Sequence, residues 1–479
     1  MIKTDLIWAT RAVDGQLFGD NLAIATVSTD TRELPPNCLF IALKGPNFDA
    51  HDFIQDAVAK GAAAVLVERR VTLPEELQVP QIVVQDTRHA LGQLGAAVKA
   101  TVQPKTIAIT GSSGKTTVKE MLAAMLSRQG NVLATAGNFN NDIGVPLTLL
   151  RLEPQHDFAV VELGANHLGE IAYTTRLTQP DVAIINNVAP AHVEGFGSVH
   201  GVFRAKSEIF KGLNADGLAL TPSASEFARC WQQQVTHCQH LTFGQTADAG
   251  IRATEVEVDA QGCASFTIHL PSALAPATEQ QARIHLSLPG LHNVDNALVA
   301  IAAAVAVGCP LADAQAALKH LKPVPGRMQV LPLSADIKLI DDSYNANVGS
   351  VKAALDMLAV YQGLRIMVLG DMGELGEQAR QYHEEVGAYA IDAGIDNLFT
   401  LGVLSQSASE VFNGRGGKHF SDVTTLVETI LTTTQGAATP ITILVKGSRS
   451  AHMERVIEAL QTRAAELHSS LTPEGNQAC

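Results

Sequence analysis

One glycine-rich stretch limits the folds open to this chain more than any other feature of its sequence. The apolar run Ile107–Ile109 stops at Thr110, and the turn Gly111-Ser112-Ser113-Gly114 leads into Lys115-Thr116-Thr117 and a segment with helical spacing of apolar residues. A buried strand, a glycine turn and a helix in this order present backbone N–H groups at a helix N-terminus, an arrangement that suits nucleotide phosphates. The stretch therefore predicts an α/β sheet that carries a phosphate-binding loop.

Lys115 and Thr116 supply the chemistry expected of such a loop. A lysine at this position meets terminal phosphate oxygens, and a threonine hydroxyl can ligate Mg²⁺. The full Walker form has a glycine where this chain has Ile109, so the loop is shortened and starts from Gly111. An ordinary Gly/Ser turn is the alternative, and the order strand, turn, Gly-Lys-Thr and helix argues against it.

Length and composition restrict the class of protein. A chain of 479 residues exceeds one core, so we expect three domains. With 46% hydrophobic residues it is globular, and its net charge of −14 argues against non-specific nucleic-acid binding. Six scattered cysteines favour a reducing compartment. No secretory segment is recognisable, and the apolar run 294–309 is too short to span a bilayer, so we expect a cytoplasmic protein without membrane insertion.

The order of strand and helix patterns predicts three α/β domains. Residues 1–100 form a small N-terminal domain, residues 101–322 a central parallel-sheet domain with the phosphate loop, and residues 323–479 a C-terminal Rossmann-like domain. The last boundary follows from the linker Pro323-Val-Pro-Gly-Arg327. Alternating apolar and polar residues between 221 and 289 predict an inserted β region.

Three side chains of the central segment are candidates for a metal or phosphate site. Glu162 ends a strand at the edge where the loop lies, so we expect it to bind Mg²⁺; a capping or salt-bridging glutamate is the alternative. His192 follows another strand, and Lys206 begins a helix. Taken alone, each is better explained by a hydrogen-bonded histidine or a surface lysine. The group Cys230, His237, Cys238 and His240 fits no zinc spacing.

Other polar groups also stand at the ends of apolar runs. Asn293 and Asn296 share one face of a predicted helix and can cap it or bind a base. Clusters at 341–347, 370–376 and 446–452 follow three C-terminal strands, so a doubly wound sheet places them at one edge. The N-terminal chain has a comparable group, for which solvated surface charges are an equally good explanation: Ser28, Asp30, Arg32, Lys44 and Gly45.

Taken together, these motifs resemble the Mur ligase family over nearly the whole chain. The matching stretches are Thr110-Gly-Ser-Ser-Gly-Lys-Thr, Glu162-Leu-Gly-Ala-Asn-His-Leu-Gly-Glu-Ile, Asp342-Ser-Tyr-Asn-Ala-Asn and Lys446-Gly-Ser-Arg. The resemblance is strongest to the branch that joins D-alanyl-D-alanine to UDP-N-acetylmuramoyl-tripeptide. The Asp-Asn-Pro-Arg box of the branch that adds the third amino acid is absent, which supports this choice.

The resemblance implies an ATP-dependent amide-forming ligase of peptidoglycan precursor synthesis, acting through an acyl phosphate with two Mg²⁺ ions. A monomer is the default expectation. It implies that Lys115, Glu162, His192, Lys206 and Arg327 are catalytic. It also implies that Thr116, Glu162, His192 and Lys206 hold metal, with Lys206 open to carbamylation by CO₂. The implied nucleotide contacts are Gly111 to Thr117, Asn293, Asn296, Arg327 and Asp342. The implied substrate contacts are the N-terminal group for the UDP end, and Tyr344, Asn345, Asn347, Lys446, Ser448 and Arg449.

Three other functions are alternatives to this interpretation. A folylpolyglutamate-type synthetase shares the ATP chemistry, but the N-terminal domain argues against it. A nucleotide switch would hydrolyse ATP without an amine acceptor. A non-catalytic binding protein is disfavoured because Glu162, His192 and Lys206 are all present.

Overall fold

The structure is a computed structural model that describes residues 1–45, 47–191, 193–435 and 439–471. The described chain forms three main sheets, of five, nine and six strands, each covered by helices. The three-domain α/β architecture predicted from the sequence is thus confirmed.

The N-terminal sheet has the strand order β2-β9-β8-β5-β4, in which β2 is antiparallel and the other strands are parallel. Two short hairpins, β1 with β3 and β6 with β7, stand beside it. The elements are β1 (Thr4–Asp5), α1 (Leu6–Ala12), β2 (Gln16–Phe18), β3 (Ala23–Ile24), β4 (Val27–Ser28), β5 (Leu39–Ile41), β6 (Lys44–Gly45), β7 (Phe48–Asp49), α2 (Ile54–Ala59), β8 (Ala64–Val67), β9 (Gln81–Val83) and α3 (Thr87–Val102).

The central sheet has the order β11-β12-β10-β13-β14-β15-β16-β17-β18 and is parallel up to β16. The predicted β region is its antiparallel end, β16 to β18. The elements are β10 (Lys105–Thr110), α4 (Lys115–Leu126), β11 (Val132–Ala134), α5 (Gly144–Leu150), β12 (Phe158–Glu162), α6 (Glu170–Thr178), β13 (Val182–Ile185), α7 (Val193–Phe196), α8 (Val199–Ser207), β14 (Leu218–Pro222), α9 (Ala228–Gln234), β15 (Gln239–Gly244), β16 (Ile251–Val258), β17 (Cys263–His269), β18 (Gln281–Pro289), α10 (Asn293–Ala306) and α11 (Leu311–Leu318).

The C-terminal sheet has the order β19-β20-β24-β21-β22-β23, and all its strands except β19 are parallel. The elements are β19 (Gln329–Pro332), β20 (Ile337–Asp342), α12 (Val348–Val360), β21 (Leu364–Gly370), α13 (Ala379–Asp392), β22 (Asn397–Leu401), α14 (Gln406–Val411), β23 (Gly417–Phe420), α15 (Val423–Thr434), β24 (Ile441–Lys446) and α16 (Glu454–Leu471). Because β20, β24 and β21 are adjacent and parallel, the three predicted polar clusters do meet at one edge.

Packing explains why β10 and α4 hold the loop rigidly. All residues of β10 after Lys105 are buried, and α4 turns Val118, Met121, Leu122 and Met125 onto the sheet at the spacing of one helical face. Burial of such side chains stabilises the fold by roughly 1.5–3 kcal/mol each. The loop is thus fixed between two core elements.

Helix α3 belongs structurally with both of the first two domains. Its residues Leu91, Leu94 and Val98 share a core with Leu149 of α5 and Ile171 of α6. The predicted boundary at residue 100 falls inside this helix, and the boundaries stay predictions. In the described part of the chain, no helix has both the length and the apolar character needed to cross a bilayer.

Candidate active site

The central and C-terminal domains enclose a cavity of about 750 Å³ above the glycine-rich loop. Strands β12, β10 and β13 are adjacent and parallel, so Glu162, the loop and the pair Asn186-Asn187 follow their carboxyl ends at one edge. The C-terminal domain supplies the opposite wall with Arg327, Asp342, Tyr344, Asn345, Asn347, Lys446 and Arg449.

Gly114 shapes the loop where α4 begins. It is the N-cap of α4 and has a left-handed φ of 77°. A Cβ on this residue would lie 2.4 Å from Asn186 Nδ2 and 2.6 Å from Asn296 Oδ1. These two amides are themselves hydrogen-bonded at 2.8 Å, so they cannot both retreat without losing that bond. The loop therefore needs glycine here for both its conformation and its neighbours.

We expect Gly114→Ala to lower the ATP-dependent rate by about 10²-fold, because misplacing reacting groups by 1 Å can have that effect. The matched control is Gly308→Ala, since Gly308 also has a positive φ of 101° but its added Cβ would meet nothing within 4 Å. Steady-state phosphate release and thermal unfolding of both variants would check this. Equal rates in the two variants would mean that the clash at Gly114 is unimportant.

The side chain of Lys115 is held by the backbone of the phosphate loop. Its Nζ donates to the carbonyl of Gly111 at 2.8 Å, which leaves ammonium protons directed to the cavity that it lines. Burial lowers the pKa of Lys115, an effect that nearby Glu162 opposes and Arg327 reinforces. An anion that entered the cavity would offset both the desolvation cost of the Lys115 ammonium and its repulsion from Arg327.

Glu162 is buried and held by hydrogen-bond donors. Thr116 Oγ1 donates to its Oε2 at 3.0 Å and Asn140 Nδ2 to its Oε1 at 2.9 Å, while Thr135 Oγ1 accepts its backbone N–H. Within the described chain, no lysine or arginine nitrogen is ion-paired with this carboxylate, which argues against the salt-bridge alternative. The carboxylate and hydroxyl oxygens are the hard donors that Mg²⁺ prefers. The described residues contain no group of three or more His, Cys, Asp and Glu side chains that could hold a metal.

Asparagine side chains form a hydrogen-bond network that connects the phosphate loop to the segment after β13 and to α10. Asn187 Oδ1 accepts the N–H of Ser113, and Asn186 Nδ2 donates to the carbonyl of Ser113. Asn296 in turn donates to Asn293, whose amide donates to the carbonyl of Pro289. The Oδ1 atom of Asn186 is buried without a hydrogen-bond partner in the described structure. Asn293 and Asn296 do share one face of α10, as their spacing predicted, while their predicted contact with the nucleotide stays a prediction. The free oxygen of Asn186 leaves one acceptor beside the loop without a partner in the described structure.

Sequence reasoning passed over three residues of this edge, namely Asn140, Asn186 and Asn187. The last two immediately follow β13 and lie beside the loop because β13 pairs with β10. Their position directly after a buried strand could have identified Asn186 and Asn187 as candidate site residues. No comparable pattern marks Asn140, which reaches Glu162 from the segment before α5.

The C-terminal wall combines cations with an aromatic ring. The guanidinium of Arg327 lies 4.3 Å from the centroid of the Tyr344 ring, and that of Arg449 lies 5.9 Å from it. Lys446 Nζ donates to Asp342, its register partner on β20, and to the carbonyl of Asn345 at 2.9 Å. This wall presents positive charge to the loop, so the cavity suits an anionic ligand such as a nucleotide.

Lys206 lies in the cavity wall with its side chain almost completely buried, at 3% exposure, so the surface-lysine alternative is wrong. The prediction that it begins a helix is also wrong, because it lies in the last turn of α8. Within the described chain, no hydrogen bond or ion pair of its amine is seen. Burial, with a smaller contribution from Lys115, holds the pKa of Lys206 well below its usual value. Its predicted companion His192 lies outside the described residues.

The remaining predicted residues lie away from the cavity lining. Ser28, Asp30 and Arg32 form a turn in the N-terminal domain, where Arg32 pairs with Asp30 at 2.6 Å and lowers the pKa of that carboxyl to about 2. Lys44 and Gly45 form one strand of the hairpin with β7. In the C-terminal domain, Ser448 Oγ donates to the carbonyl of Asp371 at 2.6 Å. None of these side chains lines the described cavity.

Hydrogen bonds join the C-terminal domain to the central domain on several sides. Asn347, the N-cap of α12, donates from Nδ2 to the carbonyl of Ser112 at 3.1 Å. Tyr361 donates to the carbonyl of Gln261 at 2.8 Å, and the N–H of Glu194 on α7 donates to the carbonyl of Glu374 at 3.3 Å. The C-terminal domain thus contacts the phosphate loop directly.

Comparison with known proteins accounts for all three domains. Residues 23–99 match the Mur ligase family catalytic domain, residues 109–304 the Mur ligase middle domain, and residues 326–449 the Mur ligase glutamate ligase domain. The chain is 47% identical over 462 residues to the UDP-N-acetylmuramoyl-tripeptide–D-alanyl-D-alanine ligase of Escherichia coli strain K12, covering 96% of this chain and 99% of that one.

Solved structures agree with this result. A crystal structure of MurF from Acinetobacter baumannii has a TM-score of 0.89 and 37% identity, covering 96% of this chain and 99% of the other. MurF ligase from Thermotoga maritima, solved in complex with ADP, has a TM-score of 0.80 and 26% identity, covering 92% and 98%. With its phosphate loop, its three sheets and these relatives, the chain belongs to the Mur ligase family.

Proposed function

We propose that this chain is the ATP-dependent ligase that joins D-alanyl-D-alanine to UDP-N-acetylmuramoyl-tripeptide in peptidoglycan precursor synthesis, and that it thereby serves cell shape and division. One observation supports this proposal most strongly. The phosphate loop with Lys115 and the cationic wall with Arg327 and Lys446 face one cavity from two domains. An enzyme that must activate a carboxylate and then deliver an amine needs such a shared site.

The reaction divides into two steps because a carboxylate is a poor acyl electrophile. A carboxylate oxygen of the tripeptide bonds to the γ-phosphorus of ATP while the β–γ bridge breaks, which gives an acyl phosphate and ADP. The amine nitrogen of D-alanyl-D-alanine then bonds to the acyl carbon, inorganic phosphate leaves, and the amine gives up a proton. Lys115 and Arg327 stabilise the negative charge that develops on the phosphoryl group and on the tetrahedral carbon.

The carboxylate and hydroxyl oxygens beside the phosphate loop are donors that fit Mg²⁺. Thr116 and Glu162 would hold one ion, and His192 and Lys206 would support a second. The ions would offset phosphate charge when bound. Asn293, Asn296 and Asp342 would contact the nucleotide, and Ser28, Asp30, Arg32, Lys44 and Gly45 the UDP end of the substrate. Tyr344, Asn345, Asn347 and Arg449 line the cavity and would surround the reacting end and the incoming dipeptide. A contact of Ser448 with the substrate would require its hydroxyl to leave the Asp371 carbonyl. Closure of the C-terminal domain would exclude water from the acyl phosphate.

We expect Lys206 to carry a CO₂-derived carbamate in the active enzyme. Its lowered pKa leaves more of the amine neutral, and a neutral amine can attack CO₂ to form an N–C bond with release of one proton. Because protonation competes with this step, the carbamate should disappear as pH falls. ¹³C NMR with ¹³C-bicarbonate should show a carbamate signal in wild type and none in Lys206→Met. An active wild-type enzyme with only free amine would contradict this expectation.

The test of the proposed function is phosphate release from ATP with and without each of the two substrates. We expect release to require both UDP-N-acetylmuramoyl-tripeptide and D-alanyl-D-alanine, with the UDP product gaining the mass of the dipeptide less water. Release that needs neither would favour a nucleotide switch. Release with a different acceptor would favour another ligase of the superfamily.

We further propose that the protein is a cytoplasmic monomer. Size-exclusion chromatography with light scattering would test the oligomeric state, and cell fractionation would test the location.

A further inference from the structure

One loop of the C-terminal domain reaches helix α7 of the central domain. Residues 371–376 form the first part of the connection between β21, which ends at Gly370, and α13, which begins at Ala379. The carbonyl of Glu374 accepts the N–H of Glu194 on α7. Gly376 lies against the same residue, since an ideal Cβ on it would be 3.7 Å from Glu194 Cα. Helix α7 begins at Val193, directly after His192. The position of this 371–376 loop therefore affects how the C-terminal domain meets α7, the helix that follows the predicted metal ligand His192 in sequence.

Strong hydrogen bonds hold the beginning of the 371–376 loop. The Asp371 carboxylate accepts the N–H groups of Val403, Leu404 and Ser405 at 2.8–3.0 Å. The Asp371 carbonyl accepts both the N–H and the hydroxyl of Ser448. The loop thus starts from a fixed junction between the ends of β21, β22 and β24. After Asp371, the direction of the loop backbone depends on the hydrogen bond that the next residue, Met372, makes.

That contact is His383, a side chain that is 0% exposed. Its Nε2 accepts the N–H of Met372 at 2.9 Å, and its Nδ1 lies 2.7 Å from the carbonyl of Ala379. A carbonyl can only accept and an amide N–H can only donate, so the imidazole must be neutral with its proton on Nδ1. Burial lowers the pKa of His383, which favours this neutral form. The ring therefore ties Met372 to the first turn of α13.

We propose that His383 is a positioning residue for ligation: by accepting the Met372 N–H, it fixes the 371–376 loop so that Glu374 docks on α7 when the C-terminal domain closes. His383 does not line the cavity, so it acts only through the loop. Met372 and Leu375, at 0% and 2% exposure, anchor the loop by burial but leave its backbone direction to hydrogen bonds. The inference rests on the proposed ligase function.

Two substitutions separate the two hydrogen bonds of the ring. In His383→Gln, the amide oxygen lies where the histidine Nε2 was and can still accept the Met372 N–H. In His383→Asn, the shorter side chain places an amide N–H where the histidine Nδ1 was, so only the bond to the Ala379 carbonyl is kept. Both side chains are neutral and polar, so both place an amide in the same apolar surroundings. We expect His383→Asn to lower kcat for ligation by about tenfold with an unchanged Kd for ATP, and His383→Gln to stay within about twofold of wild type.

The experiment measures kcat, KM for each substrate, Kd for ATP and thermal unfolding of the full-length chain. Wild type run in parallel must require both substrates; if it does not, the proposed function fails before this inference is reached. Equal losses of kcat in the two variants, or a wild-type kcat in His383→Asn, would overturn the positioning role while leaving the ligase function intact.

A second measurement needs no variant and remains informative if both substitutions prevent folding. In hydrogen exchange of the wild-type chain, the Met372 amide should be protected with or without substrates, because His383 fixes it in advance. The Glu194 amide should gain protection when a non-hydrolysable ATP analogue and the UDP-tripeptide are added. Rapid exchange at Met372 in both states would overturn the inference.

Discussion

Replacing Lys115 with alanine should reduce ligation by at least about 10²–10³-fold, the effect typical of losing one preorganised contact to developing charge. The expected cause is specific. Lys115 Nζ is tethered to the Gly111 carbonyl, so the charge is already in place before phosphoryl transfer and needs no reorganisation. The measurement is single-turnover formation of ADP with both substrates present. We also expect the variant to stay folded, since this lysine lines a cavity and does not belong to the core.

Lys105→Ala is the matched control for this prediction. Lys105 begins the same strand that ends at the loop, but its side chain is exposed and lies 3.7 Å from Asp181. An exposed ion pair contributes about 0–1 kcal/mol to stability, so this variant should ligate at nearly the wild-type rate. Near-normal turnover in Lys115→Ala, or equal losses in both variants, would remove the assigned role of Lys115.

Glu162→Gln should raise the Mg²⁺ concentration needed for half-maximal rate by more than tenfold and lower the maximal rate. Even an outer-shell partner of a bound metal is typically worth about 10–100-fold in metal affinity, so a direct ligand should be worth at least as much. The change keeps the size of the side chain but removes its charge. It also leaves only one oxygen to accept from Thr116 and Asn140, which both donate to the carboxylate. Mg²⁺ titrations of phosphate release would measure the effect.

Glu120→Gln provides the control, because Glu120 lies on the same helix as Thr116 and pairs with Lys119 at 2.8 Å without lining the cavity. We expect its Mg²⁺ dependence to match wild type. If Glu162→Gln showed the wild-type dependence, Glu162 would be a structural acceptor for Thr116 and Asn140, and the metal would have to be held elsewhere.

The parts of the site that the sequence predicted are those fixed by local rules. Glycines and a buried run mark the loop, and the carboxyl ends of parallel strands meet at one edge whatever their order. For that reason Glu162 and Lys115 could be placed together, and Asp342 could be placed near Lys446. The shared helical face of Asn293 and Asn296 could be predicted because they are three residues apart.

The parts that could not be predicted depend on how domains meet. No local pattern indicates that Asn140 reaches Glu162, or that the N-terminal helix α3 packs against α5 and α6. The contact of Asn347 with Ser112 links residues 235 positions apart and requires the orientation of one whole domain on another. Asn347 was predicted to contact substrate. Its Oδ1 accepts the Ser350 N–H within its own helix cap, so only the other end of the amide faces the loop.

The bond from Asn347 to Ser112 has a consequence for the energy of domain motion. Separating the domains would release the Nδ2 end of this amide, while the Oδ1 end would still cap α12, so the helix would lose nothing. Exchanging such a bond for one to water changes the free energy by about 0.5–1.5 kcal/mol. If each interdomain hydrogen bond contributes a free-energy difference of this size, the binding energy of a nucleotide is large enough to shift the population between separated and docked domains. The enzyme can therefore be stably folded and still be poised between two arrangements.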